Sequence, residues 1–312
     1  MPRKNSASTI NGAARLDPAR VRVAAQPIIW SSDDFSELGG DIPLERCLSE
    51  MKAAGYAGTE LGHKFPTEPA ALKNTLSGHG LALASGWHST YLASKPLAEE
   101  RRDFAAHLNK LGALGCRVAI AAECTSRTYS DPKAPLGRGS CSGVLDAAAW
   151  TRMSRGLDEL AAMAEDKGLS LAYHPHMGTV VESRSEIGRL MDAARKIKLL
   201  ADCGHFTFAG ADPLEIFRTY ASRIAHVHLK DVRLDVMERA VAKRLSFRDA
   251  VVAGVFTVPG DGGVDFAPLF DALASARYEG WLVVEAEQDP AKAPPLEYAR
   301  RAREYILRST GL

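Results

Sequence analysis

Four apolar runs in the second half of the chain each end in side chains of the types that bind metal ions. Residues 169–173, 198–201, 224–227 and 281–284 resemble buried strands, and they lead into His174-Pro175-His176, Asp202-Cys203-Gly204-His205, His228-Leu229-Lys230-Asp231 and Glu285-Ala286-Glu287. Burying such groups is costly unless a cation, a hydrogen-bond network or solvent compensates them. Four endings of this kind together predict a metal site at the rim of a barrel.

The alternation of side chains along a strand allows these groups to converge. Each candidate shares its parity with earlier positions of its own run: His174 and His176 with Ala172, Asp202 with Leu200, His228 with His226, and Glu285 and Glu287 with Val283. Carboxylates and neutral imidazoles would then form a mixed oxygen and nitrogen shell. Such a shell suits Mn²⁺, Co²⁺, Fe²⁺ or Zn²⁺ better than Ca²⁺.

Each ending also has an ordinary explanation when it is taken alone. Asp202 followed three residues later by His205 is typical of a helix cap. His226 and His228 would suit two buried core histidines, and the carboxylates at 285 and 287 would suit a solvated strand end. The conjunction of four endings favours the metal site over four separate explanations.

Short apolar runs alternate with longer amphipathic ones from residue 21 onward, which predicts a single (β/α)8 barrel over residues 21–312. The chain lacks a glycine-rich fingerprint after its first strand, which disfavours a doubly wound sheet. We predict strands at Val21–Ile28, Gly58–Leu61, Leu81–Ser85, Arg117–Ala122, Ser170–His174, Lys198–Asp202, Ile224–Leu229 and Gly280–Glu285. We predict helices at Pro43–Ala54, Pro69–His79, Leu97–Leu114, Ala147–Lys167, Arg184–Lys196, Pro213–Tyr220, Phe266–Ala276 and Pro295–Leu307.

Composition narrows the classes of function. The chain has 312 residues, 46% of them hydrophobic, and a formal net charge of +1, which favours neither nucleic acid nor an anionic membrane as a partner. We expect residues 1–20 to form a disordered tail and not a secretory signal, because they lack an apolar core. The five scattered cysteines, Cys47, Cys116, Cys124, Cys141 and Cys203, suggest reduced thiols in the cytoplasm.

Polar residues also follow the strands of the first half. Trp30 and Trp87 are candidates for the walls of a substrate pocket, although tryptophans at strand ends often only pack. Glu60 and Lys64 follow the second strand, and either would equally suit a solvated loop. Glu123 shares the parity of alanines at 119 and 121, so we expect that it can face the barrel interior.

With these residues in view, the chain resembles the xylose-isomerase-like TIM-barrel superfamily and, within it, the inosose dehydratase family. The likeness spans residues 21 to about 305. It depends on Trp30-Ser31-Ser32-Asp33-Asp34, Glu60-Leu61-Gly62-His63-Lys64-Phe65-Pro66, Ser85-Gly86-Trp87, residues 174–182, Asp202-Cys203-Gly204-His205, residues 226–233, residues 254–262 and residues 280–290. The last motifs together are specific to this family.

The resemblance implies a divalent metal, Mn²⁺ or Co²⁺, held by a Glu, an Asp, a His and a Glu from strands five to eight. Asp202, His228 and Glu285 carry over directly. His174 stands at the place of the strand-five Glu, and Glu182 follows further on, so both are candidates for the fourth ligand. The segment from Cys124 to Ser140 departs from the family pattern.

The implied reaction is loss of water from a polyhydroxylated cyclic ketone, 2-keto-myo-inositol, through an enediolate. The metal would bind the carbonyl oxygen, a base would remove the adjacent proton, and an acid would protonate the departing hydroxyl. Candidates for these proton transfers are Glu60, Lys64, Glu123, His176, His205 and Lys230. Trp30, Trp87 and Glu287 are candidates for substrate binding.

Other functions are compatible with the same fold. A keto-sugar isomerase or epimerase would share the enediolate and return the proton elsewhere. A metal-dependent endonuclease would need more ligands and a basic groove. A sugar-binding barrel without catalysis could dispense with the ligands. The sequence leaves the oligomeric state undecided for each of these functions, since the outer helices of barrels often pair in homo-oligomers.

Overall fold

The computed structural model describes residues 15–136, 139 and 143–312, and parallel strands form its central sheet. These strands are β1 (Val21–Ala25), β2 (Gly58–Thr59), β3 (Ala82–Leu83), β4 (Trp87–Thr90), β5 (Val118–Glu123), β6 (Ser170–Tyr173), β7 (Lys198–Asp202), β8 (Ile224–Leu229) and β11 (Gly280–Val284). Neighbours in the sheet follow the order β3-β2-β1-β11-β8-β7-β6-β5-β4. This parallel sheet, with helices between its strands, confirms the predicted α/β barrel fold class.

The two ends of that order meet, because β3 and β4 are consecutive pieces of one barrel strand. The amide of Leu61 donates to the carbonyl of Ser85 (3.1 Å), and the amide of Ile120 donates to the carbonyl of Gly86 (3.3 Å). The segment between β3 and β4 therefore bonds to both neighbouring strands and closes the barrel. The sequence predicted only the first piece and placed Trp87 after the strand, whereas Trp87 begins β4.

Most helices cover the outside of the barrel. The helices are α1 (Leu44–Ala53), α2 (Pro69–Gly78), α3 (Leu97–Ala113), α4 (Ala147–Glu165), α5 (Arg184–Ala193), α6 (Cys203–Phe208), α7 (Pro213–Thr219), α8 (Leu234–Ala242), α9 (Phe247–Ala253), α10 (Ala267–Ser275) and α11 (Pro295–Thr310). Of these, α6, α8 and α9 lie in the connections after β7 and β8. Eight of the helices match the predicted helices to within a few residues. Prolines in first turns and glycines just beyond the last turns explain that agreement.

The connection after β8 is more elaborate than the sequence indicated. It contains α8, α9 and a short antiparallel pair, β9 (Asp231–Val232) with β10 (Phe256–Thr257). The buried carboxylate of Asp231 accepts amide protons from Gly260, Gly262 and Val264 at 2.9–3.0 Å. A Cβ at position 262 would lie 2.4 Å from Asp231 Oδ1, so this glycine is required by the close approach of the loop to the carboxylate.

The core is divided as the parity argument predicted. Small clusters inside the barrel contain Ala172, Leu200 and Val283, whereas Val227 and Leu229 pack in the large outer layer against the helices. The inward row of each strand therefore leads directly to the polar residues at its end. This alternation positions the candidate site.

The chain packs onto the barrel before residue 21. Leu16 is buried, and the amide of Val21 donates to the carbonyl of Asp17 (2.9 Å). Residues 1–14 of the predicted tail lie outside the described residues. Among the described helices, each falls short of the length and apolar content needed to span a bilayer.

Candidate metal centre and pocket

Three of the four predicted metal ligands converge around one oxygen atom of Asp202. His174 Nε2 and His228 Nδ1 each lie 3.5 Å from Asp202 Oδ2. Glu285 completes the group, since its Oε2 lies 2.5 Å from His228 Nδ1. All four side chains are buried at the mouth of the barrel. The structure therefore brings together the side chains that the sequence singled out.

Asp202 divides its two oxygens between structure and site. Its Oδ1 caps α6 by accepting the amide proton of His205 (2.9 Å), as the ordinary explanation of this motif required. Its Oδ2 has no hydrogen-bond partner within the described chain. Burial alone would raise the pKa of Asp202, but the nearby ammonium of Lys230 outweighs it and holds that pKa well below its usual value. The free oxygen is therefore anionic.

Nitrogen atoms of the neighbouring imidazoles also lack well-aligned hydrogen bonds. Neither ring nitrogen of His174 makes one among the described residues, and the Nδ1 of His228 has only its close contact with Glu285 Oε2 (2.5 Å). Burial lowers the pKa of His174. For His228, burial acts in the same direction, but the carboxylates of Glu285 and Glu60 outweigh it and raise its pKa well above the usual value. A divalent cation would take the position of the proton on Nδ1.

The donor set fits such a cation. Two ligand atoms bound at about 2.1 Å to one ion lie roughly 3–3.5 Å apart, which matches the spacing around Asp202 Oδ2. Buried polar atoms without partners are rare in folded proteins, and an ion would satisfy three of them at once. The combination of two imidazoles and two carboxylates belongs to first-row transition metals.

Lys230 supplies a buried cation beside this group. Its Nζ lies 2.6 Å from Glu285 Oε1, 2.7 Å from Glu287 Oε2 and 2.9 Å from His205 Nε2. Burial would lower the pKa of Lys230, but Asp202, Glu285 and Glu287 raise it above the usual value. A Cβ on Gly204 would come within 2.5 Å of the Lys230 side chain, so the glycine of the Asp-Cys-Gly-His motif makes room for it.

Two carboxylates in contact with Lys230 differ in their protonation. The pKa of Glu285 is lowered to about 2, because His228 and Lys230 outweigh the effect of burial. The pKa of Glu287 is raised to about 7, because burial outweighs the attraction of Lys230. Glu287 can therefore exchange a proton near neutral pH, while Glu285 stays ionised.

His176 and His205 lie side by side behind these groups, with ring centroids 3.8 Å apart. His176 Nδ1 donates to the carbonyl of Met177 (2.8 Å), so its Nε2 carries the lone pair. Burial lowers the pKa of His176 to about 3 and holds that of His205 well below its usual value. Both rings are therefore neutral, and His176 also lines the pocket.

A cavity of about 390 Å³ opens above the cluster. Its wall includes Trp87, whose ring contacts His174 and His176 edge-on with centroids 5.4 and 5.6 Å apart. The other lining side chains are mostly polar or charged: Gln26, Asp33, Asp34, Glu60, His63, Ser89, Arg127, Tyr129, His228, Glu285 and Glu287. Such a lining suits a small ligand with many hydroxyl groups.

Several candidates from the first half of the barrel do not face this cavity. Trp30 is fully buried, and its Nε1 donates to Glu50 Oε2 (2.6 Å). Lys64 Nζ donates to the carbonyls of Gly39 and Gly40, each at 3.1 Å, and of Ile42 at 2.5 Å. Both side chains therefore support the loops of the first half, in contrast to the sequence-based expectation.

Glu123 also differs from expectation, because it faces outward. Ala119 and Ala121, which share its parity, pack in the outer layer of the core. Its carboxylate accepts hydrogen bonds from Thr90 Oγ1 (3.0 Å) and from the amide of Leu92 (2.9 Å). Burial raises its pKa. The carboxyl group of Glu123 holds the segment after β4 in place.

Glu60 lies beside His228, lines the cavity and directs one oxygen to two imidazoles. Its Oε1 contacts His226 Nε2 (2.6 Å) and His228 Nε2 (3.0 Å). Glu182, the other candidate for the fourth ligand, accepts the amide proton of Gly178 (2.8 Å) and also contacts Gly139. The geometry thus favours His174 over Glu182 beside Asp202.

Sequence reasoning missed two residues at the pocket mouth, Arg127 and Tyr129. Arg127 Nη1 donates to the hydroxyl of Tyr129 (3.4 Å), and the ring centroids of Tyr129 and His176 lie 4.7 Å apart. They belong to the segment after Glu123, which has no periodic pattern. Its departure from the family pattern was the one signal that this segment contributes to the pocket.

Comparison with known proteins places this geometry in a family. Residues 35–309 match the sequence profile of the xylose isomerase-like TIM barrel family. The inosose dehydratase of Geobacillus thermodenitrificans is 45% identical, over 94% of this chain and 98% of its own. The rhizopine catabolism protein MocC of Rhizobium meliloti is 46% identical, over 92% of this chain and 88% of its own.

Solved structures of lower sequence identity share the fold. A D-allulose 3-epimerase from Methylomonas superposes with a TM-score of 0.65 and 18% identity, covering 95% of this chain and 99% of its own. The IolI protein with a bound zinc atom superposes with a TM-score of 0.66 and 14% identity, covering 93% and 98%. At these identities the likeness concerns the barrel architecture alone.

Proposed function

The chain belongs to the xylose isomerase-like TIM barrel family and, within it, to the inosose dehydratases, and on this premise we propose that it dehydrates 2-keto-myo-inositol in inositol catabolism. The observation that carries the proposal is the buried group of ligand atoms on His174, Asp202 and His228, two of which, His174 and His228, line a polar cavity. A dehydratase of a cyclic keto-polyol needs both a cation site and a pocket of this polarity.

His174, Asp202, His228 and Glu285 are proposed to hold one divalent cation, Mn²⁺ or Co²⁺. When bound, the cation supplies Lewis acidity to the carbonyl group of the substrate and so acidifies the neighbouring C–H bond. The protein contributes a fixed arrangement of donors around Asp202 Oδ2. Lys230 balances part of the negative charge of the site through Glu285 and Glu287.

Glu287 is the group that we assign to proton transfer. Its carboxyl lines the cavity, and its pKa of about 7 matches the requirement of a base that works near neutral pH. It takes the proton from the carbon next to the carbonyl; the electron pair of that C–H bond forms a C=C bond to the carbonyl carbon, and the C=O π pair moves onto the oxygen to give an enolate. When this pair returns to re-form the carbonyl, the C=C bond shifts to the next carbon, the C–O bond there breaks, and the departing hydroxyl takes the proton from Glu287 and leaves as water.

His176 and Trp87 orient the substrate in this scheme. The lone pair on His176 Nε2 accepts a hydrogen bond from a substrate hydroxyl, because its Nδ1 is committed to Met177. Trp87 offers an apolar face beside the cluster, on which the C–H side of a polyol ring can rest. Arg127 and Tyr129 extend the polar wall toward the mouth.

The reaction is proposed to take place in the cytoplasm. Cys47, Cys116, Cys124 and Cys203 are free and buried, and Cys141 lies outside the described residues. Free thiols are typical of a reducing compartment.

Turnover of 2-keto-myo-inositol resolved by mass tests this function. The protein is first stripped with a chelator and then assayed with and without added Mn²⁺ or Co²⁺. We expect metal-dependent formation of a product lighter than the substrate by one water. A new isomer of unchanged mass would instead show the epimerase that shares this fold, and the absence of any product with metal would contradict the assignment.

A further inference from the structure

The carboxylate of Glu60 bridges two imidazoles directly beneath the proposed metal centre. Its Oε1 contacts His226 Nε2 at 2.6 Å and His228 Nε2 at 3.0 Å. Glu60 and both histidines are buried. One oxygen of Glu60 is therefore shared by two imidazole nitrogens, and it accepts a hydrogen bond from each.

This contact decides which nitrogen of His228 is available to a cation. An ionised carboxylate only accepts hydrogen bonds, so the Nε2 of His228 must carry a proton. The opposite nitrogen, Nδ1, then faces Asp202 Oδ2 at 3.5 Å and Glu285 Oε2 at 2.5 Å. Without the acceptor beneath it, the ring could turn or carry its proton on the wrong nitrogen.

The surroundings of Glu60 hold it in this orientation. His226 is fully buried, donates to the same oxygen, and does not line the cavity. On the other side, Gln26 Nε2 approaches Glu60 Oε2 at 3.5 Å, while Gln26 Oε1 accepts the amide proton of Ile28 (3.2 Å). The carboxylate is thus fixed by groups from β8 and from the end of β1.

We propose that Glu60 is the positioning residue of the metal centre, acting through His228, with His226 as its anchor. The inference rests on the metal site of the proposed function and goes beyond it by assigning Glu60 to the support of His228, because its Oε1 contacts the two imidazoles. Partners of this kind behind a ligand imidazole fix its orientation and its basicity, and their loss costs about 10–100-fold in metal affinity.

Co²⁺ titration followed by visible absorption tests this role, because it reports affinity and the geometry of the ligands separately. The variants are Glu60→Gln, which keeps an acceptor oxygen but loses the charge, and Glu60→Leu, which removes both. Glu100→Gln is the matched control. Glu100 is equally buried, and it accepts the amide proton of Tyr91 (2.9 Å) away from the cluster. Thermal unfolding of each metal-free variant monitors the fold.

We expect Co²⁺ affinity to fall by about 10-fold in Glu60→Gln and by about 100-fold in Glu60→Leu, with shifted absorption bands in the folded Glu60→Leu protein. Glu100→Gln should lower the unfolding temperature without changing either quantity. A Glu60→Leu protein that binds Co²⁺ with the affinity and spectrum of the parent would overturn the proposal.

Two further outcomes separate this inference from its premise. If the parent protein itself binds no Co²⁺, then the metal site of the proposed function fails, whatever Glu60 does. If Glu60→Leu loses binding as completely as a variant of Asp202 does, then Glu60 is itself a ligand, and the positioning role is contradicted.

Discussion

The two halves of the barrel mouth carry similar polar residues but use them differently. At the carboxyl ends of β6, β7 and β8, the side chains of His174, Asp202 and His228 each retain a buried atom without a well-aligned hydrogen bond within the described chain. At the end of β5 and in the loop after β2, Glu123 and Lys64 direct their polar atoms to neighbouring loops. In the second half, polar atoms therefore remain available to a metal ion, whereas in the first half they form hydrogen bonds that stabilise loops.

This difference shows that residue type at a strand end is not enough to identify a site. A side chain on the inward row meets other inward side chains and few backbone groups, so atoms such as Asp202 Oδ2 remain available to a ligand. One that lies on the outward row or in a loop finds backbone groups, which saturate it. Glu60 is the intermediate case, since it lies inside but bonds to imidazoles.

The largest effect should follow from loss of the free anion in the second half. Asp202→Asn keeps an oxygen that can cap α6 but removes the charge from the position of Oδ2. We expect Mn²⁺ affinity and turnover to fall by more than ~1000-fold, beyond the roughly 10–100-fold effect of residues behind the ligands. Equilibrium dialysis and the dehydration assay measure these changes.

Glu123→Gln is the matching change in the first half of the barrel, where no role in metal binding is expected. It removes a buried carboxylate of similar size that has four donors around it. We expect lower stability with unchanged Mn²⁺ affinity. Equal losses of metal in the two variants would abolish the distinction between the halves.

Removal of the proton-transfer group should be the next largest effect. We expect Glu287→Gln to reduce kcat by about 10²–10⁴-fold, the contribution of a general acid or base. Metal affinity should change much less, because Glu287 contacts Lys230 and not the free atoms of Asp202. Steady-state kinetics at saturating Mn²⁺, with dialysis as the control, check this. A variant with near-normal kcat would remove Glu287 from the mechanism.

Lys64→Met tests whether the polar side chains of the first half stabilise the loops. The change leaves three backbone carbonyls without their donor. We expect a loss of about 1–3 kcal/mol in the free energy of unfolding, with metal affinity retained. Urea unfolding measures the loss. Abolished turnover in a folded Lys64→Met protein would show that Lys64 belongs to the site after all.

The effect furthest from the site concerns two imidazoles, His88 and His107, whose rings lie 5.2 Å apart. Burial lowers the pKa of each to about 4. Below about pH 6.5 these two imidazoles therefore bind protons in the unfolded chain but stay neutral in the folded chain. We expect stability to fall as pH drops from about 6.5 to about 4, by at most ~1.4 kcal/mol per pH unit for each ring.

His107→Gln should flatten this pH dependence. Its amide can still donate to the carbonyl of Gly86, which His107 Nε2 contacts at 3.0 Å. Urea unfolding of both proteins at pH 7 and pH 5 gives the comparison. Identical slopes would mean that other groups cause the dependence.

Much of the fold and the centre of the site follow from local pattern. Strand parity predicts that Asp202, His228 and Glu285 share the barrel interior, because alternation is a property of the backbone and needs no knowledge of neighbours. The helix bounds follow in the same way from prolines and glycines. The split of the third strand does not, since Ser85 and Gly86 interrupt the apolar run while the hydrogen bonding continues.

Partners that are distant in sequence account for the remaining errors. Lys64 carries the same charge in a loop or in a site, and only the carbonyls of residues 39–42 decide its role. Tyr129 enters the pocket from a segment without periodicity, where local preference gives no direction. Such contacts depend on the assembled barrel and not on the pattern around each residue.

Anomalous diffraction from crystals grown with Mn²⁺ tests the central claim most directly, because it locates the cation among the candidate atoms. The account predicts one peak in contact with His174, Asp202, His228 and Glu285, with Glu60 behind His228. A peak bound instead by Glu60 and His226, or by residues of the first half such as Glu123, would contradict it.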